Sequence, residues 1–224
     1  MNRDNLIQDL VADLQPVKRA GRIGLPASVW LLVAGVYTTI MIFVSGPLRD
    51  DAIHHLLDYP WFAAETAVAV ACVCSIAIMA LRSAIPSGTP IFKRLVPLLL
   101  LSALWTSIYV IGLWEPAHPV SMDGQRAHCV LQTLSFSLPS MALLLYYARR
   151  QLPLWPRVTG ALAGAAAAAI PAAWMQFACM YVPSHILGEH LAPVLLMAVV
   201  GAIVGPFALN TRPNVPRSRN ESVH

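Results

Sequence analysis

The chain has 224 residues, of which 57% are hydrophobic and 12% are charged. The charged share is about half that of an ordinary soluble domain, which excludes a soluble globular fold and predicts a membrane protein. The formal net charge is +4, but the basic residues are scattered over short loops, so direct nucleic-acid binding is not expected. The first apolar run begins near Leu25 after a polar leader with acidic residues, so a cleavable signal peptide is not expected either.

Residues 1–24 are predicted to form a cytosolic leader with a short amphipathic helix that ends near Pro16. Its apolar residues recur at three- and four-residue spacing, and acidic residues lie on the opposite face. Acidic residues disfavour anionic lipid, so a protein partner is the favoured use of the apolar stripe, and packing against the chain's own helices is the alternative. The candidate partner-binding residues are Leu6, Ile7, Leu10, Val11 and Leu14.

Six apolar segments follow the leader, each long enough to cross a hydrocarbon layer of about 30 Å as a helix. They predict an all-α, polytopic bundle of six transmembrane helices that spans residues 25–209 and has the lipid bilayer as its solvent. A polar tail at 210–224 completes the chain, and the oligomeric state is left open. The segments cover 25–44, 61–81, 95–114, 127–147, 158–180 and 191–209.

The positive charges predict the orientation of this bundle, because Lys and Arg collect on the cytosolic side of a membrane. If both termini are cytosolic, 13 of the 15 Lys and Arg residues lie in the cytosol, and only Arg49 and Arg126 lie outside. The reverse orientation would translocate nearly every positive charge. We therefore predict that both termini are cytosolic.

The fifth segment is rich in small residues: Gly160 and Gly164 lie four residues apart, and the alanine run 165–169 follows them and supplies further small residues at this spacing. Such residues let a neighbouring helix approach closely, which matters in lipid because no hydrophobic drive holds the helices together. Close helix packing is therefore expected on this segment.

Two cysteines are expected at the same depth on the outer side. Cys129 begins the fourth segment and Cys179 ends the fifth, and a short turn makes these two segments antiparallel neighbours. An oxidising compartment would permit a disulfide or a thiol-based sensor at this position. The alternative is that each cysteine is an inert, buried small hydrophobe.

Six of the seven histidines are also expected outside. Thiolate and imidazole together suit Cu(I) or Zn(II), and His128 adjoins Cys129 while His190 enters the last segment beside Cys179. The candidate metal ligands are therefore Cys129, Cys179, His190 and His128, with any bound copper or zinc transient and no cofactor required. The spacing matches no compact metal motif, and ordinary loop histidines are the alternative.

The second segment carries two more thiols and a carboxylate. Cys72 and Cys74 lie two residues apart, so they point to different helix faces and are expected to be core thiols. Glu65 is expected about one turn inside the outer interface, within reach of lipid headgroups, and an intramembrane carboxylate is a functional candidate. The roles of all three are left open. No catalytic motif is present, and an enzyme is not predicted.

In order and spacing, several motifs along the chain resemble the NrsF-type integral-membrane anti-sigma factors of Proteobacteria. They include DNLIQDLVADLQPV, GPLRDD, CVLQTLSFSLPSMALLLYYARRQLPLWPRVTGALAGAAAAA and GAIVGPFAL. The resemblance implies a protein of the bacterial inner membrane that restrains an extracytoplasmic-function sigma factor. On this hypothesis the leader holds the sigma factor, and a metal ion or an oxidant at Cys129 and Cys179 moves the fourth and fifth segments and releases it. The alternative is a small multi-pass transporter or metal-handling protein that uses Glu65 and the outer histidines.

Overall fold

The structure is a computed structural model that describes residues 7, 8, 11, 24–50, 52–86, 89–116, 119–151 and 153–210. In this part of the chain every named element is helical, and one isolated antiparallel bridge joins Ser121 to Tyr181. The helices are α1 (Gly24–Ser45), α2 (Ala52–Asp58), α3 (Pro60–Ser83), α4 (Ile91–Gly112), α5 (Cys129–Arg149), α6 (Pro156–Ala178) and α7 (Pro183–Leu209).

Six of these helices, all except α2, are long and apolar enough to cross a membrane. The predicted class of a polytopic helical bundle is therefore confirmed, and the chain is a multi-pass membrane protein. The placement of both termini in the cytosol stays a prediction. Of the leader's candidate partner-binding residues, Ile7 and Val11 are helical and exposed, and the remaining three lie outside the described residues.

The last helix begins eight residues earlier than the sequence predicts. Its predicted start is residue 191, whereas α7 begins at Pro183 and contains a π-helical stretch at Ile186–Leu191. Proline suits the first turn of a helix because the amide hydrogen it lacks would have no partner there. The polar stretch that was expected to be a loop is therefore the beginning of a helix, and it places His185 and His190 on one element.

Helix α6 lies at the centre of the bundle, and its tightest partner is α7. In the most apolar stretch of α6, 18 residues long, 72% is buried inside the protein. A Cβ atom added to Gly164 would overlap the backbone carbonyl of Met197, and one added to Gly160 would overlap that of Gly201. The two backbones are thus in direct contact, as the small residues of α6 predict.

Helix α1 is packed far more loosely, since only 28% of its most apolar 18-residue stretch is buried. One firm attachment is Trp30, which is fully buried and donates a hydrogen bond from Nε1 to the carbonyl oxygen of Ser140 in α5 at 2.9 Å. A second lies near its carboxyl end, where Ile42 is fully buried in an apolar cluster with Cys129 and Cys179. Helix α1 therefore connects the leader to the region around the two cysteines.

Candidate thiol and imidazole site

The structure brings together the two cysteines that the sequence singles out. Cys129 is the first residue of α5, and Cys179 directly follows the last residue of α6. Their Sγ atoms lie 3.1 Å apart, and both thiols are free and buried. The antiparallel arrangement of α5 and α6 accounts for the meeting, since residue 129 begins one helix at the same end at which residue 178 closes the other.

Two histidines from α7 complete the cluster. His185 Nε2 lies 3.3 Å from the Sγ atom of Cys179, and the rings of His185 and His190 meet edge to face with their centroids 5.1 Å apart. One ligand atom from each of Cys129, Cys179, His185 and His190 lies within 4.8 Å of the other three. We call these four residues the thiol–imidazole cluster.

The π-helical stretch explains why both histidines can join this cluster. Residues five apart lie on different faces of an α-helix, whereas the wider π turn, with hydrogen bonds from residue i to i+5, brings them towards the same face. His185 and His190 have this spacing, and α7 is π-helical over Ile186–Leu191. Both residues were predicted from the sequence to be outer histidines, but nothing in the sequence pattern indicated the π turn that brings them together.

The structure places the fourth candidate ligand, His128, differently. Its side chain is exposed, and it is not a member of the thiol–imidazole cluster although it precedes Cys129 in sequence. His128 is the residue immediately before α5, where the backbone has not yet entered the helix. His128 therefore lies outside the cluster although it is next to Cys129 in sequence, and His185, on another helix, is in it.

Electrostatics make the two thiols unequal. The hydrogen bond between Cys129 and Cys179 holds the pKa of the Cys179 thiol below its ordinary value, and the neighbouring His190 imidazole acts in the same direction, while burial opposes both. Of the two thiols, Cys179 therefore loses its proton more readily. A thiolate is both the nucleophile in thiol oxidation and the form that binds metal.

His190 is the most unusual member of the cluster. It is fully buried, and neither of its ring nitrogens has a hydrogen-bond partner among the described residues. A buried imidazole has at least one donor or acceptor to satisfy, and leaving it without a partner costs about 1–3 kcal/mol. A ligand held between the nitrogens and the thiols would remove this cost.

Arg126 connects the cluster to α1, a role that its position in the sequence does not indicate. Its guanidinium donates to the carbonyl oxygen of Ala178 at 3.0 Å, and to Ser45 Oγ, the Gly46 carbonyl oxygen and the Pro47 carbonyl oxygen at 2.8, 3.0 and 2.7 Å. Its own carbonyl oxygen lies 3.5 Å from the Cys129 thiol. One side chain thus ties the end of α6 to the end of α1.

Arg49, the other arginine that the charge count predicts to lie outside, is also structural. Its side chain is 3% exposed, and its backbone N–H donates to the carbonyl oxygen of Phe177 at 3.0 Å. The last carbonyl groups of a helix lack hydrogen-bond donors within the helix. For α6 the donors are the backbone N–H of Arg49 and the guanidinium of Arg126. Both exceptions in the charge count therefore stabilise the helix end that carries Cys179.

Glu65 does not reach towards lipid headgroups, contrary to the sequence-based expectation. It is 1% exposed and accepts a hydrogen bond from the hydroxyl of Tyr181 at 2.8 Å. Nearby, Gln176 donates to the hydroxyl of Tyr109 at 2.6 Å. The face of α3 that carries Glu65 points into the bundle, so the carboxylate belongs to a buried polar network that begins two residues after Cys179.

The remaining cysteines lie apart from the cluster. Cys72 is buried in the main core, with its Sγ atom 3.5 Å from the hydroxyl of Ser102, and Cys74 is half-buried. Neither belongs to the group of potential metal ligands found in the described part of the chain. Their separation from Cys129 and Cys179 makes them useful control thiols.

Comparison with known proteins gives one family. The family model described as NrsF, negative regulator of sigma F, matches residues 10–210. Neither a curated protein nor a solved structure gives a significant match. The matched range contains all six long helices and all four residues of the thiol–imidazole cluster.

Proposed function

Since this chain belongs to the NrsF family and is a negative regulator of a sigma factor, we propose that it holds an extracytoplasmic-function sigma factor at the bacterial inner membrane. The amino-terminal leader binds the sigma factor through its apolar stripe, which consists of Leu6, Ile7, Leu10, Val11 and Leu14. Release follows when a metal ion or an oxidant acts on the thiol–imidazole cluster. The observation that carries this proposal is the cluster itself, which concentrates reactive groups in a member of a regulator family.

The cluster and the leader lie at opposite ends of α1, which suits a signal that crosses the membrane. The leader precedes Gly24, and the carboxyl end of α1 at Ser45 is held by Arg126 beside the cluster. A helix of 22 residues is about 33 Å long, enough to cross the hydrocarbon layer. Helix α1 has no proline after its first turn, so a displacement at one end is carried to the other.

The packing supports α5 and α1 as the moving parts, in place of the α5 and α6 pair expected from the sequence. Helix α6 is locked to α7 through backbone contacts at Gly160 and Gly164, so Cys179 has little freedom. Cys129 lies on α5, and the loop residue Arg126 precedes it by three positions. A change in the distance between the two thiols therefore acts on Arg126 and, through its hydrogen bonds, on α1.

Oxidation and metal binding both change that distance. In oxidation by a peroxide, Cys179 and Cys129 form one S–S bond and lose two electrons, and the peroxide O–O bond is reduced to two waters with the two thiol protons. A disulfide brings the sulfurs to about 2.05 Å, whereas two thiolates bound to one ion are held farther apart. The stimulus regulates only if the two states differ in affinity for the sigma factor.

Co-purification tests the proposal. The detergent-solubilised protein, intact or lacking residues 1–20, is isolated from its host and the co-purifying proteins are identified by mass spectrometry. We expect the intact chain to retain a sigma factor and the truncated chain to lose it. Leu10→Ser should weaken capture, whereas the matched polar-face change Asp9→Ser should leave it unchanged, because only the apolar stripe contacts the partner.

Two outcomes would contradict the proposal. If the intact chain retains no sigma factor, the leader is not a sigma-binding segment, and the transporter alternative takes precedence. If the double variant Cys129→Ser, Cys179→Ser captures the sigma factor and still releases it on exposure to metal or oxidant, the cluster is not the sensor.

A further inference from the structure

We infer that Cys129, Cys179, His185 and His190 form a closed four-ligand site for one d10 cation, of the Zn(II) or Cu(I) type. This inference makes His185 a ligand and leaves His128 out. Its regulatory meaning rests on the proposed function, but the binding itself does not depend on a sigma factor.

The distances suit a tetrahedral ion. Zn–S bonds of about 2.3 Å and Zn–N bonds of about 2.0–2.1 Å place the donor atoms of a tetrahedral site roughly 3.3–3.8 Å apart. Here the Sγ atoms of Cys129 and Cys179 are 3.1 Å apart, Cys179 Sγ and His185 Nε2 are 3.3 Å apart, and all four donor atoms lie within 4.8 Å of one another. A complete coordination sphere would need the two sulfur atoms to separate by about 0.6 Å and the widest donor pairs to close by up to about 1 Å.

The donor set selects the class of ion. Two thiolates and two imidazoles in a tetrahedral arrangement favour Zn(II), and the soft sulfurs also suit Cu(I), whereas Mg(II) and Ca(II) require oxygen ligands. Two thiolates neutralise a divalent ion, so a zinc complex carries no net charge into a site where three of the four ligand residues are buried.

His190 provides the independent argument for a ligand. An imidazole that is fully buried and has no hydrogen-bond partner on either nitrogen among the described residues is a rare feature that calls for an explanation. Coordination through one nitrogen satisfies the ring at the position where it already faces the thiols. The π-helical turn that places His185 beside it is a rare conformation that is frequently found at functional sites.

Metal retention by the purified full-length protein tests this site. The protein in detergent is reduced, stripped with a chelator, loaded anaerobically with Zn(II) or with Cu(I), desalted and analysed for metal by mass spectrometry. We expect about one equivalent of at least one of the two ions. We also expect affinity to fall at least tenfold in Cys129→Ser, Cys179→Ser, His185→Gln and His190→Gln.

Matched controls separate the site from other thiols and histidines. His128→Gln removes an exposed imidazole next to Cys129, and Cys74→Ser removes a thiol of α3 that lies outside the cluster; both variants should bind as the wild type does. Substitution with Co(II) adds a spectroscopic readout, since tetrahedral coordination gives intense visible d–d bands and each bound thiolate contributes to the sulfur-to-cobalt charge-transfer band. Cys129→Ser should halve the charge-transfer band.

The variants also report on folding. His185 is only half-buried, so His185→Gln should melt at the wild-type temperature without metal and lack the rise in melting temperature that metal gives the wild type. The chain without residues 1–20 should lose the sigma factor and keep the metal, so each proposal can fail separately. The inference is overturned if the wild type retains neither ion, or if His128→Gln loses metal as His185→Gln does.

Discussion

Helices α6 and α1 are packed very differently in this bundle. In its most apolar stretch α6 is 72% buried, and its backbone contacts that of α7 directly. The corresponding stretch of α1 is 28% buried, and α1 is held at a few points such as Trp30. The first arrangement resists deformation because close-packed backbones leave no space to move. The second permits displacement at the cost of few contacts.

The thiol–imidazole cluster lies on the boundary between these two regions. Cys179 and His190 are fixed to the α6–α7 unit, whereas Cys129 belongs to α5, and the loop before α5 reaches α1 through Arg126. A chemical change at the cluster therefore acts between a rigid support and a movable part. If all four residues of the cluster belonged to the α6–α7 unit, a change there would displace no neighbouring helix.

The strongest test of the rigid side is Gly164→Leu. Any Cβ at this position overlaps the backbone carbonyl of Met197, so the helices must separate along their length. We expect a loss of at least about 3 kcal/mol in the free energy of unfolding, at the upper end of overpacking effects. Thermal unfolding in detergent, followed by tryptophan fluorescence, measures the change.

Gly35→Leu on α1 is the matched control for this change. Nothing lies within 4 Å of a Cβ added at Gly35, so the same substitution should alter the stability by less than about 0.5 kcal/mol. Equal losses in the two variants would show that α1 is packed as tightly as α6, and the contrast between the two helices would be lost.

The connection to the movable side is tested by Arg126→Gln. The variant loses four charge-assisted hydrogen bonds, two part-buried to Ala178 and Gly46 and two exposed to Ser45 and Pro47. Solvent exposure keeps them at or below the roughly 1.5–3 kcal/mol typical of a hydrogen bond to a charged group. Because a glutamine amide can replace some of them, we expect a net loss of about 2 kcal/mol in stability. Sigma-factor release without a stimulus should increase, as measured by co-purification.

A second arginine shows whether the effect is specific. Arg94→Gln removes an exposed hydrogen bond to the carbonyl oxygen of Arg82, at a site far along the sequence from the cluster. It should leave the sigma-factor release unchanged. If Arg126→Gln is destabilised but still holds and releases the sigma factor as the wild type does, the arginine stabilises the fold without carrying the signal.

The fold was largely predictable from the sequence because apolar length and charge asymmetry act locally along a chain in a membrane. The start of α7 and the short helix α2 were exceptions; at the start of α7, Ser184, His185 and Glu189 lower the apolar character of a turn that is nonetheless helical. Glu65 was misjudged for a related reason: depth in the membrane follows from sequence position, but the side of the helix that faces the bundle depends on packing.

Only the part of the site that follows from the antiparallel arrangement of α5 and α6 was predictable from the sequence. The ends of α5 and α6 bring Cys129 and Cys179 together, so the sequence was sufficient to name that pair. His128 was a reasonable candidate as the neighbour of Cys129, yet His185 lies in the cluster because a π turn and the α6–α7 contact place it there. Neither the turn type nor the contact is encoded in short-range spacing.

The smallest expected effect comes from Tyr181→Phe, which asks whether α3 belongs to the rigid support. The change removes the hydrogen bond to the buried carboxylate of Glu65 and leaves the aromatic ring in place. Since one buried acceptor loses its donor, we expect a loss of about 1 kcal/mol in stability. Tyr37→Phe, on the loosely packed α1, should have no effect.

A double-mutant cycle with Glu65→Gln isolates this interaction from the other contacts of the two side chains. A coupling energy of about 1 kcal/mol, with unchanged sigma-factor release and metal affinity, would place Tyr181 and α3 on the rigid side with α6 and α7. If Tyr181→Phe instead raises release without a stimulus as Arg126→Gln is expected to do, the bond between Tyr181 and Glu65 carries the signal. The boundary between the rigid and movable parts would then lie between α6 and α3, with α3 moving together with α1.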